Sequence, residues 1–144
     1  MRVPITFVDV NDNPTNDYIE GRPSVLVNIE VGFQPLPNPS QSFTPNFVKV
    51  RAFVDTGSNV TIIRRELSKN KKALAKVPSR NMQGAGVTDF YSALVQVDGL
   101  DKPYHIEVGF GPQIPMKMLL GRDMLSKYKM VIDTPRQEFY LERT

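Results

Sequence analysis

The chain has 144 residues, a formal net charge of +3 and no cysteine. This length corresponds to a single domain, 1–144, which can bury about two thirds of its unfolded surface, enough for a hydrophobic core. Because the chain has no cysteine, disulfides are excluded. The modest net charge does not favour a nucleic-acid-binding protein.

Sequence patterns also bear on location. No stretch approaches the roughly 20 apolar residues of a membrane span, and the N-terminus lacks the charged-then-apolar order of a signal peptide. We therefore expect no membrane contact and, because a cysteine-free chain suits a reducing compartment, a cytoplasmic location. The basic run from Lys69 to Lys72 is interpreted as a solvated helix face rather than a nucleic-acid contact.

The N-terminal third predicts strands separated by a long loop. Residues from Val3 to Val10 can form a strand before an Asn-Asp-Asn-Pro turn. From Val25 to Val31, β-branched residues alternate with more polar ones, which predicts a second strand. Four prolines then indicate a surface loop near 33–46, because proline disfavours both helix and sheet.

An acidic motif follows the next apolar run. Val50 to Val54 ends at Asp55-Thr56-Gly57-Ser58, and a second apolar run begins at Val60. The pattern predicts a carboxylate delivered from the end of a buried strand, with a glycine that permits a sharp turn beside it. Taken alone, the same tetrapeptide is equally compatible with an ordinary turn between two hairpin strands.

The rest of the chain is predicted to be mostly β with short helices. Arg64 to Lys76 has a helix-forming composition, with Pro78 as a stop. A hairpin is expected from Ala93 to Phe110, turning at Asp98-Gly99. The remaining expectations are a strand at Met118–Leu120, a short helix over Gly121–Lys127, and a closing strand pair of Met130–Ile132 with Phe139–Leu141.

Between these elements lies a glycine-containing segment, Gln83-Gly84-Ala85-Gly86. A plain turn is one interpretation of it. A phosphate-binding loop is not, because no helix-forming stretch follows and the third glycine of that fingerprint is missing.

Three elements of the chain, and the order in which they occur, resemble the retropepsin-like aspartic protease family. This family includes retroviral proteases and the protease domain of DNA-damage-inducible proteins. The elements are Asp55-Thr56-Gly57, the glycine segment, and Leu119-Leu120-Gly121-Arg122, within a resemblance that runs from about Val48 to Leu141. It implies an all-β, β-barrel subunit with its active site at a homodimer axis, and it makes Asp55 the catalytic residue. It also implies that Thr56 hydrogen-bonds across the axis, that Gln83, Gly84, Ala85 and Gly86 form a flap over a polypeptide substrate, and that Gly121 and Arg122 support the site. The short distance from Gly86 to the next strand predicts a short flap.

Catalytic chemistry supports the dimer independently. Hydrolysis by carboxyls alone requires two of them, one ionised and one protonated, which share a proton. Asp133-Thr134 is the other Asp-Thr pair, but Pro135 replaces the glycine, so we interpret Asp133 as a strand-end turn residue. A twofold dimer that pairs Asp55 with its symmetry mate supplies the second carboxyl.

Further expectations concern neighbouring side chains. The Ser58 hydroxyl is expected to hydrogen-bond the Asp55 carboxylate and favour its ionised form, which predicts an acid-shifted optimum. Asn59 is expected to accept a hydrogen bond from Arg122, unless Arg122 turns to Asp123 or Glu66. His105 is the only histidine, and neither a zinc site nor a serine triad is expected, so no metal or cofactor is predicted.

The sequence therefore predicts a homodimeric aspartic endopeptidase acting on extended polypeptides. The alternative is a catalytically inactive dimeric domain of the same fold that binds peptides or acts as a scaffold.

Overall fold

The computed structural model describes residues 1–33, 44–69, 71–73, 75–81, 84–111 and 114–143. Within these residues the chain is mostly β-strand with short helices, as predicted. The helices are α1 (Arg65–Ser68) and α2 (Arg122–Leu125). The strands are β1 (Arg2–Pro4), β2 (Thr6–Val8), β3 (Arg22–Val31), β4 (Val48–Val54), β5 (Ile62–Ile63), β6 (Ala75–Asn81), β7 (Gly84–Val97), β8 (Tyr104–Phe110), β9 (Met118–Leu120), β10 (Tyr128–Asp133) and β11 (Glu138–Arg143).

The larger sheet closes on itself. Its strand order is β2-β3-β4-β9-β5-β8-β7-β6, and β3 also pairs with β7. The first half of β7 pairs with β6, while Ala93 to Val97 pairs with β3. The extra pairing joins β3, β4, β9, β5, β8 and β7 into a barrel, which leaves β2 and β6 as attachments outside it.

The alternation of side chains along the strands builds the barrel interior. On β3, the side chains of Val25, Val27 and Ile29 are at most 2% exposed, whereas Leu26 between them is 38% exposed. Ala52 and Val54 on β4 and Leu120 on β9 are also buried. Since alternate residues of a strand face opposite sides, one set fills the core and the other meets solvent.

A smaller sheet ties the two ends of the chain together. Its order is β1-β11-β10, with Val3 opposite Leu141 and Met130 also opposite Leu141. The predicted closing strand pair is confirmed. The predicted strand from Val3 to Val10 is instead divided between two sheets, because β1 joins this sheet and β2 joins the barrel.

The long helix predicted over Arg64 to Lys76 is wrong. Helix α1 ends at Ser68, and Ala75 begins β6, which pairs with β7 over seven residues. At the end of this segment, hairpin pairing overrides helix propensity, which is only a weak determinant of structure. Pro78 is tolerated because β6 lies at the edge of the sheet.

Two further predictions about the fold are confirmed, and one is not tested. The hairpin from Ala93 to Phe110 is confirmed, since Tyr104 pairs with Val95 and Ile106 with Ala93. The short helix after Gly121 is confirmed as α2. Most of the proline-rich loop, 34–43, lies outside the described residues, so that prediction is not tested.

Candidate active site

The acidic motif follows β4, as predicted. Strand β4 runs parallel to β9, with Val54 beside Leu120, and the Asp55 amide donates to the Leu120 carbonyl at 3.0 Å. Both strands are buried over their last residues, because Val54 and Leu120 are at most 5% exposed. The rigid strand pair therefore presents a half-buried carboxyl group at its end.

One oxygen of this carboxyl group is held by the loop itself. The Gly57 amide donates to Asp55 Oδ1 at 2.8 Å, and the Ser58 amide lies 3.4 Å from the Asp55 carbonyl oxygen. A Cβ atom on Gly57 would lie 3.1 Å from Oδ1, which is tighter than ordinary contacts. Glycine at this position lets the backbone approach the carboxylate closely. Among the described residues, Asp55 Oδ2 has no hydrogen-bond donor and can accept one from another molecule.

Thr56 and Gly57 lie at the exposed tip of the loop. Within the described ranges the Thr56 hydroxyl has no hydrogen-bond partner, although it can both donate and accept. The tip of the loop is therefore free to meet a second molecule.

Ser58 does not make the expected bond to Asp55. Its hydroxyl donates to the Val60 carbonyl at 2.7 Å, so its single hydrogen is already used. The expectation that this hydroxyl favours the ionised form of Asp55 is wrong, because the bond closes the turn of the loop instead.

The loop is fastened to the start of α2 through backbone hydrogen bonds. The Arg122 amide donates to the Ser58 carbonyl at 2.8 Å, and the Asp123 amide donates to the Asn59 carbonyl at 3.2 Å. Gly121 lies directly against Val60, and a Cβ atom on it would fall 2.3 Å from the Val60 carbonyl oxygen. Only glycine permits this approach of two backbone segments.

The side chains of Asn59 and Arg122 also meet, as the sequence predicted, because Arg122 donates to Asn59 Oδ1. Glu66 is instead paired with Arg64 at 3.0 Å. Both Asn59 and Arg122 are exposed, so this bond lies at the surface of the loop.

Asp123 is the residue whose role the sequence did not reveal. Its carboxylate accepts from the Thr61 amide at 2.9 Å and from the Thr61 hydroxyl at 2.7 Å. The Thr61 hydroxyl in turn accepts from the Gly121 amide at 3.2 Å. The available signal was a threonine at the end of the acidic loop and an aspartate two residues after the later glycine.

The predicted flap residues lie on and beside one hairpin. Gly84, Ala85 and Gly86 begin β7 and pair with Asn81, Arg80 and Ser79 of β6, while Gln83 lies outside the described residues. The seven paired positions make this hairpin longer than the sequence suggested. The flap role of these residues stays a prediction.

Two other residues considered from the sequence, His105 and Asp133, lie outside the loop 55–58. His105 on β8 contacts the Ser92 hydroxyl at 2.5 Å, and Ser92 in turn donates to the Phe33 carbonyl. Asp133 ends β10, and its carboxylate accepts from the Arg136 amide at 3.1 Å, as expected of a turn residue. The part of the chain that the structure describes holds no group of three His, Asp or Glu side chains arranged for a metal ion.

Comparison with known proteins identifies the family. Residues 19–133 match the family described as retroviral aspartyl protease. Because this match covers more than half of the sequence, the chain belongs to that family. Comparison with curated protein sequences gives no significant match.

Two solved structures of foamy virus proteins are among those that match this chain. The simian foamy virus (mac) protease is 16% identical, with a TM-score of 0.48 over 70% of this chain and 91% of that one. The foamy viral protease-reverse transcriptase, solved in complex with an RNA/DNA hybrid, is 16% identical with a TM-score of 0.51. That match covers 78% of this chain but only 14% of the viral chain. The likeness therefore concerns the fold of one portion of the viral protein.

Among the described residues, no helix is both long and apolar enough to cross a membrane. The cytoplasmic location expected from the sequence stays a prediction.

Proposed function

We propose that two copies of this chain form an aspartic endopeptidase in which each contributes Asp55. The observation that carries this proposal is the Asp55 carboxyl group itself. It stands at an exposed loop, with Oδ1 fixed by the Gly57 amide and Oδ2 without a donor in the described residues. Membership of the retroviral aspartyl protease family supports protease activity in general.

The chemistry requires the two carboxyl groups to be in different protonation states. The ionised Asp55 takes a proton from a water molecule, whose oxygen attacks the carbon of the scissile peptide bond. The protonated Asp55 of the other copy donates its proton to the carbonyl oxygen. In the collapse of the resulting gem-diol, the first Asp55 gives the proton that it took from water to the nitrogen, the other Asp55 takes a proton from a gem-diol hydroxyl, and the C–N bond breaks. No metal or cofactor is needed for any of these transfers.

A homodimer is favoured because a single chain carries one suitable loop. Two Thr56 hydroxyl groups facing each other across a twofold axis can each donate and accept, which satisfies both. The backbone bonds from Arg122 and Asp123 keep the loop in place as it meets its symmetry mate.

We propose that the substrate is an extended polypeptide. Such a segment can add as a strand beneath the β6–β7 hairpin and form main-chain hydrogen bonds that are tolerant of sequence. Gln83, Gly84, Ala85 and Gly86 would supply the adaptable backbone for this contact.

The test measures hydrolysis of casein from about pH 3 to about pH 8 at several enzyme concentrations. We expect Asp55→Asn to abolish activity. The matched control is Asp133→Asn, which changes the other Asp-Thr pair and should leave the rate unchanged. The rate should rise faster than linearly with enzyme concentration, since two copies build one site.

The alternative of an inactive peptide-binding dimer predicts a different result. It would bind peptide without turnover and would bind a statine-type transition-state mimic no better than an ordinary peptide. Absence of hydrolysis at concentrations where sedimentation detects a dimer would contradict the protease proposal.

A further inference from the structure

A concave surface is lined by residues other than those of the loop 55–58. It is an open groove of about 780 Å³ between α1 and the strands β7 and β8. Its position follows from the topology, because Ile63 of β5 pairs with Phe110 of β8 and the chain continues directly into α1. The lining residues are Arg64, Arg65, Glu66, Ser68, Lys69, Asp89, Tyr91 and Phe110.

Two positive charges of the groove lack acidic partners in the described residues. Arg64 is already paired with Glu66 at 3.0 Å. Arg65 and Lys69, by contrast, have no carboxylate within ion-pair distance in the described part of the chain. Asp89, which also lines the groove, has an interaction of its own. The groove therefore has an excess of positive charge at the α1 side.

The opposite side of the groove is aromatic. The Arg65 guanidinium lies 5.6 Å from the centre of the Phe110 ring. Tyr91 is 8% exposed and packs with the core, which gives the groove a rigid base. A ligand that suits this surface combines a carboxylate with an adjoining apolar group.

We propose that this groove docks an acidic segment of a polypeptide. Carboxylates of the segment face Arg65 and Lys69, and a neighbouring apolar side chain packs against Phe110. A nucleic acid fits less well, since it carries a phosphate at every nucleotide and some of these would face Glu66 and Asp89, whereas a peptide can place apolar residues between its carboxylates. The docking is separate from catalysis, so it does not depend on whether Asp55 cleaves.

The position of the groove connects it to two parts of the proposed active site. Strand β5 leads from the catalytic loop into α1, while β7 continues from the β6–β7 hairpin. An acidic segment bound between α1 and β7 would therefore contact both elements at once.

The experiment uses the 144-residue chain with the substitution Asp55→Asn, so that the probe is not cleaved. The probe is a fluorescein-labelled peptide of alternating glutamate and leucine, and the control peptide carries glutamine in place of glutamate. Fluorescence anisotropy should detect binding of the acidic peptide alone, with an affinity that falls as salt is added.

Charge-reversing substitutions then locate the site. Arg65→Glu and Lys69→Glu should each weaken binding roughly tenfold, because they repel the acidic peptide. The matched control is Lys102→Glu, which makes the same charge change on an exposed turn before β8 and should have little effect. Circular dichroism of each variant establishes that it is folded, and Arg65→Gln gives a milder variant if Arg65→Glu is not.

Several results would overturn the proposal. One is failure of the acidic peptide to bind, and another is equally tight binding of the glutamine peptide. Binding unaffected by folded Arg65 and Lys69 variants would place the peptide elsewhere. A single-stranded oligonucleotide that displaces the peptide at lower concentration would identify a nucleic-acid surface instead.

Discussion

The carboxylate of Asp123 accepts two hydrogen bonds from one residue, Thr61, through its backbone amide and its hydroxyl. Thr61 is fully buried, so neither group can turn to solvent when the carboxylate is lost. Because Thr61 immediately precedes β5 and follows the catalytic loop, this contact fixes where the loop ends. We therefore expect Asp123 to act as a positioning residue, which influences Asp55 through the loop.

Removal of this contact should both destabilise the protein and reduce turnover. Asp123→Ala leaves two buried donors of Thr61, its amide and its hydroxyl hydrogen, without an acceptor, at a cost of about 1–3 kcal/mol each. We expect a lower urea midpoint and, below the unfolding transition, a lower kcat. Thr61→Val provides the control for a double-mutant cycle, in which a coupling of about 0.5–3 kcal/mol is expected. Strictly additive effects of the two substitutions would contradict the assignment.

A methyl group on Gly121 should be far more disruptive than one on Gly109. At Gly121 the new Cβ would lie 2.3 Å from a backbone oxygen, whereas at Gly109 its nearest neighbours are 3.5 Å away. Gly121→Ala should therefore cost at least about 1–3 kcal/mol and displace the catalytic loop from α2. Gly109→Ala, at another buried glycine, should be tolerated. Urea unfolding and casein hydrolysis measure both effects, and equal stability of the two variants would be inconsistent with the close approach to Val60.

The hydrogen bond of Ser58 gives a prediction about pH that differs from the one made from sequence. Because its hydroxyl donates to Val60 rather than to Asp55, Ser58→Ala should leave the pH dependence of kcat/KM unchanged. Stability should fall by about 1 kcal/mol, the typical net value of one hydrogen bond. The pH profile of casein hydrolysis is the measurement. A displaced acidic limb would mean that the hydroxyl does interact with the dyad during catalysis.

The parts of the fold that could be predicted are those with strong local patterns. The alternation on β3 and the apolar runs before Asp55 and Gly121 each specify a strand directly. The error at Arg64 to Lys76 has a physical cause, since its composition favours a helix but its last residues, Ala75 and Lys76, pair with β7 outside the segment. The division of the first strand into β1 and β2 also depends on pairing with Glu138–Arg143, at the other end of the chain.

The candidate site was predictable where chemistry requires particular residue types. Asp55 and Gly57 occur in a pattern whose chemical or steric reason follows from the residue types, whereas Gly121 was expected from the resemblance to the retropepsin-like family. The Asp123–Thr61 contact joins residues 62 positions apart, and neither side chain has a local pattern that identifies its partner. The same limit applies to Ser58, whose hydroxyl had two chemically reasonable acceptors.

The protein should lose stability as the pH rises above about 10, because of the raised pKa of Tyr128. Burial raises the pKa of Tyr128 to about 12, and the nearby Tyr104 adds to the effect. An unfolded tyrosine has a pKa of about 10, so the unfolded state loses its proton first. The resulting stabilisation is fully present below about pH 10 and is lost between about pH 10 and about pH 12, by roughly 2–3 kcal/mol.

The variant Tyr128→Phe should remove this loss and also stabilise the protein at neutral pH. The Tyr128 hydroxyl is buried without a hydrogen-bond partner in the described residues, so its removal should contribute about 1 kcal/mol. Tyr140→Phe is the control, because Tyr140 is more exposed and lies beneath Arg2. Urea unfolding followed from neutral pH to about pH 11 measures both effects. An alkaline loss that persists in Tyr128→Phe would assign it to another group, and destabilisation at neutral pH would mean that the hydroxyl has a partner in solution.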